Sequence, residues 1–387
     1  MGSESSKDVI RVHDDPARIE GDAWNALLAQ QPRPTPFMRH EYLAALHRSG
    51  SAVAGTGWAP RFITIHRGSE LVAATPAYLK SHSYGEYVFD WAWADAYQRH
   101  GLDYYPKLLI AVPFTPVPGT RLMAASDSLR GTLLAAARSL AVECKASSVH
   151  LLFADDSEAQ AIDASGWLTR RGVQFHWTRD ADQPATDFSA LLASLQRDKR
   201  KKIQQERRKV AEAGITFRVF DGAAIGKEQW EFFYRCYRLT YRAHHSTPYL
   251  TADFFKAMAR DMAEHWLMFV AFQQGAPIAC SLIVIDRAQR AAYGRYWGCI
   301  EHVPCLHFEA CYYQPLAWCI ENGFERFEGG AQGEHKMARG LMPVATRSAH
   351  WLAHPEFARA VADYLEREGH GIESYVDELR EHSPFKT

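Results

Sequence analysis

Five consecutive residues, Gln332-Gly-Glu-His-Lys336, carry three titratable groups of different basicity directly after an expected strand. Glu334 or His335 could take the proton of an attacking amine, and Lys336 could pair with a phosphate or a carbonyl oxygen. A solvated polar turn would have the same composition. Upstream, Leu306-His-Phe-Glu309 opens an expected helix, with Arg295-Tyr-Trp-Gly298 in the strand before it. His307 and Glu309 stand two apart, so one can face a cleft while the other caps the helix or serves as a first-turn anion. Amide formation by direct aminolysis needs such groups: a proton acceptor and a donor facing the developing oxyanion, with no enzyme nucleophile. The chain has no Gly-x-Ser-x-Gly elbow, and no cysteine stands in a Cys–His context.

Two further groups of residues invite a binding role. Arg197, Lys199, Arg200, Lys201, Lys202, Arg207, Arg208 and Lys209 face only Asp198 and Glu206. An exposed helix usually interleaves its charges, so this imbalance suits either a solvated helix or a phosphate-rich partner. In the first half, Glu86, Asp90, Trp91, Asp95 and Tyr97 alternate carboxylates with rings, and Lys107 follows Tyr104-Tyr105-Pro106. On a strand Glu86 and Asp90 share a face, which could recognise an amine, a sugar or a peptide, or could be core rings with edge acids. Cys299, Cys305 and Cys311, with His302 and His307, match no Cys-x₂₋₄-Cys spacing, so no metal is expected.

The elements that must position these groups repeat in order. The first half predicts a helix over 37–48, strands over 61–67 and 70–79 joined at Gly68-Ser69, and strands over 86–93 and 108–116. A helix over 126–144 and a strand over 149–153 follow. Residues 181–186 read as a linker. Asp187 then caps a helix over 188–213 ended by Gly214. A strand over 215–220 follows, then helices bearing Trp230, Phe233 and Tyr237 and capped by Thr251. A meander over 267–272, 277–285 and 291–297 leads to a helix over 307–322 and a strand over 324–328. Each half therefore holds a meander, a crossover helix and a further strand.

Those elements and blocks resemble the FemAB-like branch of the GNAT superfamily, within the predicted N-acyltransferases often labelled peptidogalycan biosynthesis proteins. The resemblance covers almost the whole chain. It rests on Gly85-Glu-Tyr-Val-Phe-Asp-Trp-Ala-Trp-Ala-Asp-Ala-Tyr97, Tyr104-Tyr-Pro-Lys-Leu108, Val112-Pro-Phe-Thr-Pro-Val117, Arg197-Asp-Lys-Arg-Lys-Lys-Ile203, Tyr293-Gly-Arg-Tyr-Trp-Gly298, Leu306-His-Phe-Glu309 and Phe327-Glu-Gly-Gly-Ala-Gln-Gly-Glu-His-Lys336. It implies an α/β (α+β) fold of two tandem GNAT-like domains, residues 1–183 and residues 187–387 with the basic helix 188–213. FemAB relatives transfer an amino acid from aminoacyl-tRNA to the peptide of a cell-wall precursor, and other relatives use acyl-CoA. Their late strand ends in a Gly-rich segment with a substrate-facing Lys, which Lys336 resembles, although Glu334-His335 departs from those surroundings.

The expectation is an N-acyltransferase with no tightly bound cofactor and its acyl donor as cosubstrate. Aminoacyl-tRNA is favoured over acyl-CoA, because the strand-to-helix junction lacks the Arg/Gln-x-x-Gly-x-Gly/Ala loop. The acceptor is a small amine or a peptide. Glu309, His307, Glu334, His335 and Lys336 are the catalytic candidates. Glu86, Asp90, Trp91, Asp95, Tyr97, Lys107, Arg295, Tyr296, Trp297 and Gln332 are candidates for substrate binding. Arg197, Lys199, Arg200, Lys201, Lys202, Arg207 and Arg208 are candidates for phosphate or RNA. A non-catalytic scaffold that binds RNA or a cell-wall precursor is the alternative. Net charge is −1, so any nucleic-acid affinity must be local. No apolar run reaches the roughly eighteen residues of a membrane span. Seven cysteines without a pairing pattern fit reduced thiols and a cytoplasmic setting.

Overall fold

A computed structural model describes residues 7–330 and 333–386, so Gln332 lies outside the described residues. The chain forms two compact units, Met1–Gly172 with Thr346–Glu373, and Val173–Ala345 with Ser374–Thr387. The polar stretch read as a linker is a loop inside the second unit, and residues 346–373 return to the first.

In the first unit, Asp8–His13, Phe62–Arg67, Glu70–Thr75 and Met123–Ala124 form a four-stranded antiparallel sheet, with the tight turn at Gly68. The run expected over 70–79 is split at Pro76, and its second part, Ala77–Lys80, pairs elsewhere, between Trp58–Pro60 and Lys107–Ile110. Lys107–Ile110 lies parallel to Ser148–Ala154. The helix Asp127–Glu143 makes that crossover, capped by Ser126, whose hydroxyl accepts from the Leu129 amide at 3.4 Å. Its Leu133, Leu134, Ala137 and Leu140 pack on Ile63, Ile65, Leu108 and Val149. The strand expected over 86–93 is a loop followed by the helix Trp91–Arg99. Its alternation of acids and rings reflects buried ion pairing, described below, and no pleat.

The second unit repeats the order. Ile215–Asp221, Trp266–Gln273, Ala276–Asp286 and Ala291–Cys299 form an antiparallel ladder, and Arg326–Glu328 lies parallel to Ala291–Tyr293. Alternation along Trp266–Gln273 separates two cores. Leu267 and Phe269 meet the crossover helix, while Met268 and Val270 point the other way. The helices Lys227–Ala243 and Ala252–Asp261 bury Phe233, Tyr237 and Phe255, and the Phe255 ring meets the other two edge to face. The single helix expected over 188–213 is broken into Phe188–Ser194 and Arg197–Glu212. At the break Leu195 is extended, fully buried and bridged to Phe385, and the Gln196 amide donates to the Pro384 carbonyl at 2.8 Å. A tertiary partner for the backbone thus overrides helix propensity. Asp187 and Thr251 cap as expected, and Gly214 ends the basic helix with φ +70°.

Candidate active site

A wedge in the second unit's sheet gathers most of the late motifs. The parallel ladder covers only Ala291–Tyr293 against Arg326–Glu328. Past it, residues 294–299 continue while the neighbouring chain turns away at Gly329-Gly330. Among the described residues that edge of the longer strand is left without a strand partner. Gly330 has φ +87°, and a Cβ on Gly329 would come within 2.6 Å of Leu341 and 3.3 Å of the Lys336 side chain. These glycines let Lys336 lie against the strand end. Its ammonium donates to the Gly330 carbonyl at 3.0 Å. Lys336 is buried, which holds its pKa down at about 8 despite the opposing influence of Cys311.

The other wall is the helix that starts at Leu306. It opens after Cys305, a left-handed residue (φ 66°), and passes through a π-helical stretch, Glu309–Tyr313, before resuming as Gln314–Glu321. The wider turn leaves the Ala310 carbonyl to accept from the Ser281 hydroxyl at 2.6 Å. The strand beside it carries a bulge. Leu282 pairs with Tyr296 and Ile283 with Gly294, so Arg295 is the extra residue. Tyr296 joins the rings of Phe233, Tyr237 and Phe255, and Arg295 lies over Tyr296 at 5.2 Å. Trp297, on the opposite side, meets the His307 ring at 5.4 Å.

The four candidate proton acceptors occupy different settings. The buried Glu309 carboxylate accepts from Arg207 Nε at 3.2 Å to both oxygens and from the Gln314 amide at 2.7 Å. Most of these contacts fall on one oxygen, Oε1. Glu334 is exposed and accepts from the Tyr375 hydroxyl. His335 shares a 3.3 Å hydrogen bond with the Tyr312 hydroxyl. Among the described residues His307 meets the rings of Trp297, Phe308 and Tyr312. Water still reaches its imidazole. The surrounding rings and then the nearby His335, Arg339 and Lys336 push its pKa down, as burial, Arg339 and Lys336 do for His335. Both rings are therefore neutral at physiological pH.

Three residues that the sequence reading passed over hold this arrangement. Arg339 is buried, stacks over Phe308 at 3.6 Å, donates to the His335 carbonyl at 2.6 Å and grips Glu206 at 3.0 and 3.1 Å. Glu206 also accepts from the Tyr313 hydroxyl. The signal for Glu206 was present: with Ile203 and Val210 it lies on the inward phase of the basic helix. Nothing local marked Arg339 or Tyr312. On the same helix Arg207 is bound to Glu309 and Lys199 to Asp198, while Lys201, Lys202, Arg208 and Lys209 are exposed with no carboxylate partner among the described residues.

Of the first-half candidates, Glu86, Asp90, Tyr97 and Lys107 are buried. Lys107, fully buried, donates to Ser83 at 2.7 Å, to Glu86 at 2.7 Å and to Asp90. Tyr104 donates to Asp90 at 2.6 Å and lies 3.2 Å from His150, whose other ring nitrogen meets His350 at 2.7 Å. Burial raises Glu86 to about 7 and lowers Lys80, stacked 3.6 Å over Trp58, to about 7. Tyr97 is buried against Tyr104 and Phe357. Trp91 and Asp95 are exposed, Asp95 paired with Arg99. The end of this unit's own parallel pair is filled by residues 111–124, which are buried throughout. There Arg121 donates to the Gly119 carbonyl at 3.1 Å, and Glu158 accepts from the Arg121 amide at 2.8 Å. No comparable wedge is open in the first unit among the described residues.

A family model, FemAB-like, described as "Peptidogalycan biosysnthesis/recognition", matches residues 15–387. No curated protein sequence matches the chain. Among solved structures, FemX is similar over 89% of this chain and 99% of its own, with 12% identity and a TM-score of 0.54. L-PGS from Bacillus licheniformis is similar over 92% and 99%, with 10% identity and a TM-score of 0.54. The C-terminal domain of a putative lysylphosphatidylglycerol synthetase from Agrobacterium fabrum follows over 89% and 95%, with 11% identity and a TM-score of 0.51.

Proposed function

The chain belongs to the FemAB-like family, and from that premise we propose that it forms an amide bond by direct transfer of an activated acyl group to an amine at the wedge of the second unit. The observation that carries this reading is the Lys336 ammonium held at the Gly330 carbonyl, where the parallel ladder stops and residues 294–299 continue with no strand beside them among the described residues. A carbonyl laid along that edge meets outward backbone N–H groups, and Lys336 adds a cation where the oxyanion develops. Attack by the amine gives a tetrahedral intermediate whose nitrogen is positively charged and therefore acidic. Neutral His307 accepts that proton, a task within reach of a weak base. Tyr312, its hydroxyl kept protonated by burial, gives a proton to a departing ribose oxygen and recovers one from the His307 imidazolium beside it, whereas a departing thiolate needs no proton. Glu309 serves as an anchor through Arg207 and Gln314, and Glu334 lies outside the proton path.

Aminoacyl-tRNA is the donor favoured here, because the free cations of the basic helix suit a phosphate backbone. A peptide or amine of cell-wall type is the acceptor class that the family description suggests. A donor screen by mass spectrometry, charged tRNAs against a panel of acyl-CoAs with a cell-extract acceptor pool, tests the reading. An acylated product lost in Lys336→Ala supports it. Absence of product with every donor leaves the non-catalytic binding protein as the better account.

A further inference from the structure

The start of the strand Leu168–Thr178 and the helix Pro355–Glu381 enclose a pocket of about 540 Å³ that lies wholly within the first unit. Its volume falls within the roughly 300–1,000 Å³ of small-molecule sites. Trp167, Thr169 and Arg171 line one side, and because they alternate they share a face of the strand. Ala362, Leu365, Glu366, Gly369, His370 and Glu373 line the other, at the three- and four-residue spacing of a single helical stripe. A Cβ on Gly369 would meet nothing within 4 Å. Glycine inside a helix weakens it relative to alanine, so packing does not account for this residue, whose bare backbone adds room to the pocket.

The floor holds donors that the protein leaves without acceptors. Trp167 is 4% exposed, and its indole Nε1 has no hydrogen-bond partner among the described residues. The same holds for Thr169 Oγ1 and Arg347 Nε, whose side chains also line the pocket. The Asp156 carboxylate stands 3.7 Å from Arg347 Nε, beyond hydrogen-bond reach. Arg171 is already bound to Glu373. Toward solvent the lining changes sign, because Asp163 and Glu366 are exposed carboxylates with no cationic partner among the described residues. Three buried donors without acceptors are costly in one pocket unless a guest supplies the acceptors.

We infer that this pocket binds a free α-amino acid with an alkyl side chain. An indole N–H, a hydroxyl and a guanidinium N–H can all donate to one carboxylate, each after a small side-chain rotation. The ammonium then faces Asp163 and Glu366, and the alkyl group lies against Leu365, Ala362 and the Trp167 ring. Simpler guests fit less well. A dianion such as phosphate meets the repulsion of the two rim acids, and a simple amine or a hydrocarbon leaves the three donors unpaired. The pocket draws on none of the acyl-transfer groups of the second unit, so acyl transfer and amino-acid binding stand or fall separately.

L-leucine titrated into the full-length protein by calorimetry is the direct probe, with 4-methylpentanoate and 3-methylbutylamine as its two halves. Saturable binding of leucine at sub-millimolar concentration is expected, with each half at least about tenfold weaker. Arg347→Gln removes one donor and should weaken leucine about tenfold. Gly369→Leu fills the pocket without burying a charge and should abolish binding, while its unfolding midpoint in denaturant stays at or above that of wild type. Leucine binding that survives Gly369→Leu overturns the site. Should that variant unfold early, Arg347→Gln decides instead, and an unchanged leucine affinity there overturns the site equally. Binding of either half as tight as leucine overturns the recognition of a zwitterion. No saturable binding of leucine at millimolar concentration overturns the proposal outright.

Discussion

In the proposed reaction Lys336 carries the oxyanion charge, and its burial makes a specific prediction. With a pKa held at about 8, its charge is present below that pH and lost above it. If the cation faces the oxyanion, turnover falls as pH rises through about 8. Lys336→Arg keeps the charge to higher pH and should remove that limb while retaining part of the rate. Lys336→Ala should cost about 10²- to 10³-fold in kcat, the typical loss of one oxyanion donor. A flat wild-type profile across pH 8 would count against this role. The motif around Lys336 was legible because glycines and a lysine after a strand leave a mark in the sequence. The fate of Glu309 was not. Its carboxylate pairs with Arg207, 102 residues upstream, and residue type alone cannot separate an anchoring acid from a catalytic one.

At the scale of elements, the π-helical turn and the buried ionic network of the first unit each make a test. Ser281 satisfies the carbonyl that the wide turn frees, so Ser281→Ala leaves a buried acceptor unpaired. A loss of about 1–3 kcal/mol in denaturant unfolding is expected, with turnover reduced as His307 and Tyr312 lose their register. Lys107→Met removes the shared partner of Glu86 and Asp90 and should destabilise by about 3–5 kcal/mol, the cost of uncompensated buried charge. Because these groups are enclosed, turnover per folded molecule should stay near wild type. A selective rise in acceptor KM would instead show that the network meets substrate. Amphipathic spacing and caps predicted the regular elements, as Ser126, Asp187 and Thr251 illustrate. The π stretch, the break at Leu195 and the loop before Trp91 depend on partners distant in sequence, namely Ser281, Phe385 and Lys107.

For the whole molecule, the repeated order of meander, crossover helix and parallel strand was readable from periodicity, but the return of residues 346–373 to the first unit was not. His350 meets His150 across 200 positions, a pairing that no local pattern announces. The charge distribution leads to the last test. A net charge of −1 gives no global attraction to nucleic acid, so RNA affinity must come from the exposed Lys201, Lys202, Arg208 and Lys209. Each single-strand phosphate they neutralise contributes about −0.7 to the slope of log affinity against log salt, so four contacts give roughly −3. Coenzyme A, with few phosphates, should give a much shallower slope. Reversing Lys201 and Lys202 to Glu should flatten the RNA slope by about half and leave acyl-CoA turnover, if any, unchanged. An RNA affinity indifferent to salt and to these reversals would remove the basic helix, Arg208 included, from the donor site and leave the choice of donor to the mass-spectrometric screen.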